Sequence, residues 1–403
     1  MTSRHASDGG RRGLAPWIII TLVTLVLVAA ATVAYVFIVR GDDQDSATAQ
    51  CSSQVTLPIA AAPGATDVIT AAANAFDATG PVARSACVTT SVTAIQEATA
   101  DLSLLEQWKQ DTAKAPAMWV ADSEADLVTV EANVSALTAG RDTEAIATSP
   151  VVLAVRSADA AAAAALSWQD LPAQTGPDGS VMLPSDQHVI LALPNPTTNR
   201  ATSYALQSVL AAGSAPAADD VTEAAGTNAP GGTGAPVDIA TVTSSADALR
   251  QLGAGGPTVQ PQTTKEALTQ LAAGNAAFTA VPVVESDLVT FTASTPGLTP
   301  VSPQGAAVGD AIWPVSLTAD WVTPTLSSAA AQFAAFLRSP AGAAVFQQNG
   351  LQPAGSVPTG GVAPSTSGSA TGSAAVPAPI ALPDAGAGVA DALATAIGAT
   401  PAG

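Results

Sequence analysis

Few side chains in this sequence could carry covalent chemistry. The 403 residues include two histidines. His5 precedes the first apolar run, so any imidazole base would have to be His188, and His188 opens an apolar stretch where a structural role is expected. The sequence holds no G-x-S-x-G nucleophile elbow, no H-E-x-x-H helix, no phosphate loop and no G-x-G-x-x-G turn. Paired carboxylates such as Asp219-Asp220 fall in a stretch rich in Gly, Pro and Ala, where no rigid element would hold them as an acid–base pair. No catalytic residue, metal ligand or cofactor is therefore expected, and the chain does not read as an enzyme.

The two cysteines, Cys51 and Cys87, both follow the long apolar run at 17–39. Outside a membrane they would lie in an oxidising space, and one disulfide is the economical reading. Cys51 precedes an apolar run at 55–60 and Cys87 opens another at 87–95, with a helical stretch between them. A β-α-β unit brings the starts of two such strands side by side. On the chain-entropy model, closing this loop would stabilise the fold by roughly 3–4 kcal/mol.

The run 17–39 has 23 residues and no charge, enough for a helix across a bilayer core of about 30 Å. Arg4, Arg11 and Arg12 precede it, and Asp42, Asp43 and Asp45 follow. The positive-inside rule then predicts a single-pass cell-membrane protein, residues 1–16 cytoplasmic and the bulk of the chain extracellular. Cleavage as a signal peptide is the alternative. The net charge of −19, with 13 Lys+Arg, excludes a nucleic-acid partner or an anionic lipid surface, both of which need a basic footprint.

Residues 40–54 read as a stalk. Beyond them strands and helices alternate: a strand at 55–60, a helix at 65–78, strands at 87–95 and 118–121, helices near 100–113 and 124–138, and a strand at 150–156. That order predicts an α/β domain with a mainly parallel sheet. A second block follows, with an Ala-rich helix at 158–166, a strand at 188–193, a helix opened by Thr197, Thr198 or Asn199, a flexible loop at 212–236, helices at 244–252 and 264–273, and a strand at 277–284. Residues 311–317 suggest a strand, and 325–348 two helices broken at Ser339-Pro340. From 356 to 403 only Asp384 and Asp391 are charged and few large apolar residues occur. This composition predicts a disordered tail, with a weak helix at 388–397.

Three segments together carry a resemblance: 115–123 (APAMWVADS), 148–171 (TSPVVLAV…SWQDL) and 329–353 (AAAQFAAFLRSPAGAAVFQQNGLQP). The last is the most specific, a helix, F-L-x-S-x-x-G, a second helix and a terminal Gly-Leu-x-Pro. The chain resembles bacterial extracellular solute-binding proteins with the type 2 periplasmic-binding fold, nearest the molybdate-binding-like group, over 55–355. The resemblance implies two α/β lobes joined by two crossover strands, with lobe one at 55–150 and 285–355, lobe two at 151–284, and crossovers at 149–156 and 279–288. Actinobacterial relatives often carry an N-terminal membrane helix and a von Willebrand factor A domain. No D-x-S-x-S motif of that domain occurs here.

The implied ligand lies in the interlobe cleft, at strand C-termini and helix N-termini, where unpaired N–H groups and the helix dipole suit an anion. Pro63 and Gly64 follow the first strand, where the family's hydroxyl donor is expected, and Ala62 and Pro63 there count against molybdate-type binding. Asp122 and Ser123 follow the 118–121 strand. Asp122 would favour a cation or amine, or would cap the next helix. Ser149 lies on the first crossover, Thr197 and Thr198 precede a lobe-two helix, and Glu285 and Ser286 lie on the second crossover. The function implied is capture of a small solute by a membrane-anchored receptor, with an ABC permease or a von Willebrand factor A domain protein as partner. The competing class is a cell-envelope interaction module on a degenerate solute-binding fold.

Overall fold

A computed structural model describes residues 51–95, 108–135, 137–138, 140–141, 144–183, 187–211, 236–256, 260–354, 381–382 and 384–399. The apolar run 17–39, the 212–235 loop and Leu102 and Leu105 of the 100–113 helix lie outside these residues. Among the described residues no helix is long and apolar enough to cross a membrane.

The chain enters through β1 (Ser53–Ala61), α1 (Thr66–Asp77), β2 (Val82–Ala83), β3 (Ala86–Ala94), β4 (Met118–Ala121), α2 (Glu124–Val134), β5 (Gly140–Arg141) and β6 (Ala147–Arg156). β1 pairs in parallel with β3 and with β4. Along β1, Leu57, Ile59 and Ala61 face one core while Ala60 faces another, the period of two expected of a strand buried on both faces. α1 buries Val68, Ile69, Ala72, Ala73 and Phe76, the 3–4 spacing of one helical stripe. The parallel β1–β3 pair sets Gln54 beside Cys87, and Cys51 bonds to Cys87 with Cα atoms 5.3 Å apart. Residues 51–54, expected in the stalk, thus belong to the folded domain.

The chain then builds α3 (Ala160–Ala163), α4 (Leu171–Gln174), β7 (Val181–Met182), β8 (His188–Val189), α5 (Arg200–Ala211), α6 (Ile239–Ser244), α7 (Ala246–Ala254), α8 (Thr264–Ala272), β9 (Ala280–Val284), α9 (Glu285–Ser294) and β10 (Leu298–Val301). The strand expected at 188–193 is regular only at its first two residues, and His188 is exposed. Its Nδ1 lies 2.8 Å from Ser180 Oγ. Pro194 and Pro196 close that stretch; neither has an N–H for a ladder.

Last come β11 (Ala307–Ser316), α10 (Pro324–Leu337), α11 (Pro340–Gln348), β12 (Gln352–Pro353), β13 (Ala381–Leu382) and α12 (Ala387–Ala396). The F-L-x-S-x-x-G signature is a helix corner. Ser339 Oγ accepts from Gly342 N–H at 3.2 Å, and Pro340 takes the first turn. A Cβ on Gly342 would come within 2.3 Å of Phe336 O, so only glycine lets α11 approach the end of α10 so closely. Phe333 of α10 then meets Phe76 of α1 edge-on at 5.3 Å between ring centroids.

The main sheet runs β10-β6-β11-β4-β1-β3-β2, with β9 and β12 also on β6, and β5 and β13 on β11. Two long antiparallel strands cross between the lobes, β6 and β11. The lobe-one end of β6 pairs with β11 and β12, and its residues 151–155 pair with β9. β11 pairs with β4 in lobe one through 313–316 and with β13 through 307–308. The second crossover is therefore β11, not the expected 279–288. Residues 285–306, expected in lobe one, pack instead with lobe two, where Leu288 and Leu298 share a core with Val152, Ala154 and Phe278.

The disordered-tail expectation for 356–403 fails at its C-terminal part. α12 docks on lobe two and buries Val389, Leu393 and Ala396 beside Leu249 and Leu252 of α7. Composition averaged over the whole tail hides one short apolar stripe, and a helix too short to persist alone gains its stability from that docking.

Candidate functional site

The crossovers place Asp310 of β11 directly opposite Ser149 of β6. Asp310 interrupts an otherwise apolar strand and is 1 % exposed. Above it three elements converge. Asp122 follows β4, Gly64 follows β1, and Arg200 opens α5 from lobe two. Gly64 N–H donates to Asp122 Oδ2 at 2.7 Å. Arg200 Nη2 lies 3.2 Å from Asp310 Oδ2 and 3.1 Å from Asp287 Oδ2 of α9, and Arg200 Nη1 lies 3.9 Å from Asp122 Oδ2. One guanidinium from lobe two thus binds carboxylates from both lobes where the lobes meet.

Burial dominates the electrostatics. It pushes the Asp310 carboxyl up to about 8, with Arg200 pulling it back and Asp122 adding like-charge repulsion. Asp122 is raised for the same first cause, opposed by Arg200 and by the Gly64 N–H. Arg200 is pushed further above its usual value: burial opposes this, but Asp310 and Asp287 outweigh it. Near neutral pH the buried cluster is a guanidinium facing a protonated Asp310.

The expected residues divide. Gly64 and Asp122 stand in the cluster. Asp122 caps nothing; Ser123 takes the cap position of α2, without a side-chain hydrogen bond to the helix. Ser123 Oγ instead donates to Asp384 Oδ2 at 3.3 Å. Ser149 Oγ accepts from Ser286 N–H at 2.9 Å, so these two hold α9 against the crossover. Pro63 is exposed at the loop tip. Thr197 N–H and Oγ1 both bond Asn195 Oδ1, and Thr198 Oγ1 donates to Asn195 O. These two threonines make a local turn, and Asn199 caps α5 by accepting from Thr202 N–H at 3.0 Å. Glu285 is half-buried, its carboxyl raised by burial and partly restored by a hydrogen bond from Gln352.

Sequence reading missed Arg200, Asp287, Asp310, Tyr204, Gln207 and Asp384. Two carried a usable signal. Asp310 is a carboxylate inside an apolar strand, and Arg200 is a cation in the first turn of a helix, where the dipole disfavours it. Tyr204 and Gln207 read as ordinary helix residues, yet Gln207 is wholly buried.

The bacterial extracellular solute-binding protein family model matches residues 57–352. The chain belongs to this family. Among curated proteins, "Uncharacterized protein Rv1836c" of Mycobacterium tuberculosis H37Rv is 28% identical over 230 residues, covering 55% of this chain and 33% of that protein. A second M. tuberculosis protein, "Uncharacterized protein MT1884" of strain CDC 1551, matches to the same extent. The chain spans about a third of the length of these curated relatives. Among solved structures, the apo ferric ion-binding protein A of Pasteurella haemolytica is 9% identical with a TM-score of 0.47, covering 74% of this chain and 84% of that one. The sulfate-binding protein SubI of M. tuberculosis H37Rv is 17% identical with a TM-score of 0.44, covering 75% and 88%. The periplasmic molybdate-binding protein of Azotobacter vinelandii is 15% identical with a TM-score of 0.37, covering 73% and 98%.

Proposed function

We propose that the protein is a membrane-anchored extracellular receptor that captures a small solute between its lobes. The observation that carries this reading is the buried charged cluster over the β6–β11 crossover, where Arg200 bridges carboxylates of both lobes. In this arrangement Asp122, Asp310 and Arg200 are the polar contacts, and a solute enters by exchanging for one of their mutual contacts as the hinge opens. The donor set of one guanidinium and several carboxylates favours a ligand with both a charged acceptor and a donor over a bare oxyanion. Residues 17–39 supply the anchor, and an ABC permease or a von Willebrand factor A domain protein is the partner.

Native mass spectrometry of the full chain extracted from membranes tests the capture. A co-purified small molecule supports it. A ligand at 100 times its dissociation constant should add about 2.7 kcal/mol to stability. No thermal shift with any member of a metabolite and oxyanion panel would count against the reading. Carbonate extraction tests the anchor, which predicts retention in the membrane fraction. One observation favours the second reading, an envelope interaction module: Arg200 is already engaged by the protein's own carboxylates. Envelope crosslinking that recovers only permease subunits would exclude it.

A further inference from the structure

The C-terminal segment does more than cover lobe two. β13 adds to β11 in parallel, with Ala381 beside Ala307 and Leu382 beside Val308. α12 docks beyond it on α6 and α7. Between these two anchors the chain presents Asp384 to the seam where the lobes meet. Its Oδ1 accepts from Gln207 Nε2 at 2.8 Å, and its Oδ2 accepts from Ser123 Oγ at 3.3 Å. Gln207 belongs to lobe two and Ser123 to lobe one. The next residue completes the contact, since Ala385 N–H donates to Gln207 Oε1 at 2.9 Å. The wholly buried Gln207 amide thus gives one N–H to this carboxylate and accepts the adjacent N–H at its oxygen, and it donates also to Ser203 Oγ at 3.0 Å. A carboxylate that bonds both lobes at once stands where a captured solute must stand.

We propose that Asp384 is a tethered ligand of the cleft, and that the free ligand which displaces it carries a carboxylate next to an N–H donor, the chemistry of an acidic peptide or an N-acyl amino acid. This rests on the solute-binding reading above and names its ligand class. Gln207 reads the carboxylate and the N–H, and Ser123 brings lobe one to the same group. Because the tether holds Asp384 at an effective concentration in the millimolar range, a free competitor binds the intact chain weakly. Removing the side chain frees the subsite.

The test compares the full-length wild type with Asp384→Ala and Asp384→Asn, using as probe a hexapeptide that copies residues 382–387 and, as control, the same peptide with Asn for Asp. Asp384→Ala should bind the acidic peptide at least tenfold more tightly than the wild type, with no gain for the control, and Asp384→Asn should fall between. Without any peptide, hydrogen exchange over residues 62–65 and 118–123 should accelerate in Asp384→Ala, while residues 389–396 keep their protection, which shows that the strap is still docked. Equal peptide affinity in wild type and Asp384→Ala overturns the proposal. Faster exchange with no gain in peptide affinity also overturns it, because the segment would then be a structural clasp. The solute-binding reading fails separately, if the peptide gains affinity as expected but native mass spectrometry of the Asp384→Ala variant extracted from membranes recovers no free solute.

Discussion

Gly64 is held to glycine by its neighbours. A Cβ there would sit 2.6 Å from Asp310 Oδ2, 2.7 Å from Asp122 Oδ2 and 2.9 Å from Arg200 Nη1. Gly64→Ala therefore forces the charged cluster apart, and overpacking of this kind costs about 1–3 kcal/mol. Urea denaturation should show the loss, and a wild-type midpoint would mean that the cluster is loose. Asp310 makes a prediction of a different kind. It holds its proton up to about pH 8 in the folded protein, whereas in the unfolded chain a free Asp releases it near pH 4. Between those values the folded state binds one more proton than the unfolded state, so the contribution of Asp310 to stability is complete below about pH 4 and falls as the pH rises towards 8. Among the groups facing it, Arg200 and Tyr204 moderate this slope without reversing it, while Asp122 and Asp287 add to it. Asp310→Asn keeps the shape and removes the proton, so its stability relative to wild type should climb from pH 5 to pH 9. A flat difference would show that Asp310 ionises normally.

At the scale of elements, the disulfide ties the outer edge of the lobe-one sheet. With both cysteines changed to serine, stability should fall by roughly 3–4 kcal/mol on the chain-entropy account, and reductant should lower the wild-type midpoint while leaving the double variant unmoved. An unmoved wild type would mean that the bond constrains little. This bond and its β-α-β setting were legible because they rest on local signals: an apolar run, a helical stripe and a second run in chain order. The corner at 336–342 was legible for the same reason, since capping and a close approach leave Ser, Pro and Gly at fixed spacing. What escaped reading depends on partners distant in sequence. Nothing near 307–316 says that it, rather than 279–288, returns to lobe one; that follows from β4 offering Met118–Ala121 to its far end. The helix at 388–397 was read as a weak one, and α12 stands there; its docking escaped because alanine fills a tight helix–helix seam while scoring as weakly apolar. The site was legible only where loop position follows from strand order, as at Gly64 and Asp122. Ser149, read as a ligand donor, spends its hydroxyl on the Ser286 N–H and the Gly350 carbonyl, which partners 137 and 201 residues away could not announce.

At the scale of the molecule, the lobes are joined by two strands and clasped by one cation. Arg200 is lobe two's contribution to a cluster whose buried carboxylates, Asp310 and Asp122, lie at or beyond the crossover. Above about pH 8, where Asp310 is ionised, truncating one partner of a buried pair costs about 3–5 kcal/mol, because the remaining charge keeps its desolvation penalty. Opening the hinge offers a cheaper escape, since it returns the carboxylates to water. At pH 9 Arg200→Met should therefore shift the population towards an open form before it unfolds the protein, and small-angle scattering should record a larger radius of gyration. A second substitution separates opening from general damage. In Arg200→Met with Asp310→Asn the most deeply buried carboxylate is gone, so much of the reason to open is removed. The double variant should regain a scattering profile close to wild type and a stability above that of the single Arg200→Met variant. The two substitutions must then be non-additive, as groups in direct contact are. Additive losses with an unchanged radius would show that Arg200 is packing material and that the lobes are held by the crossover strands alone.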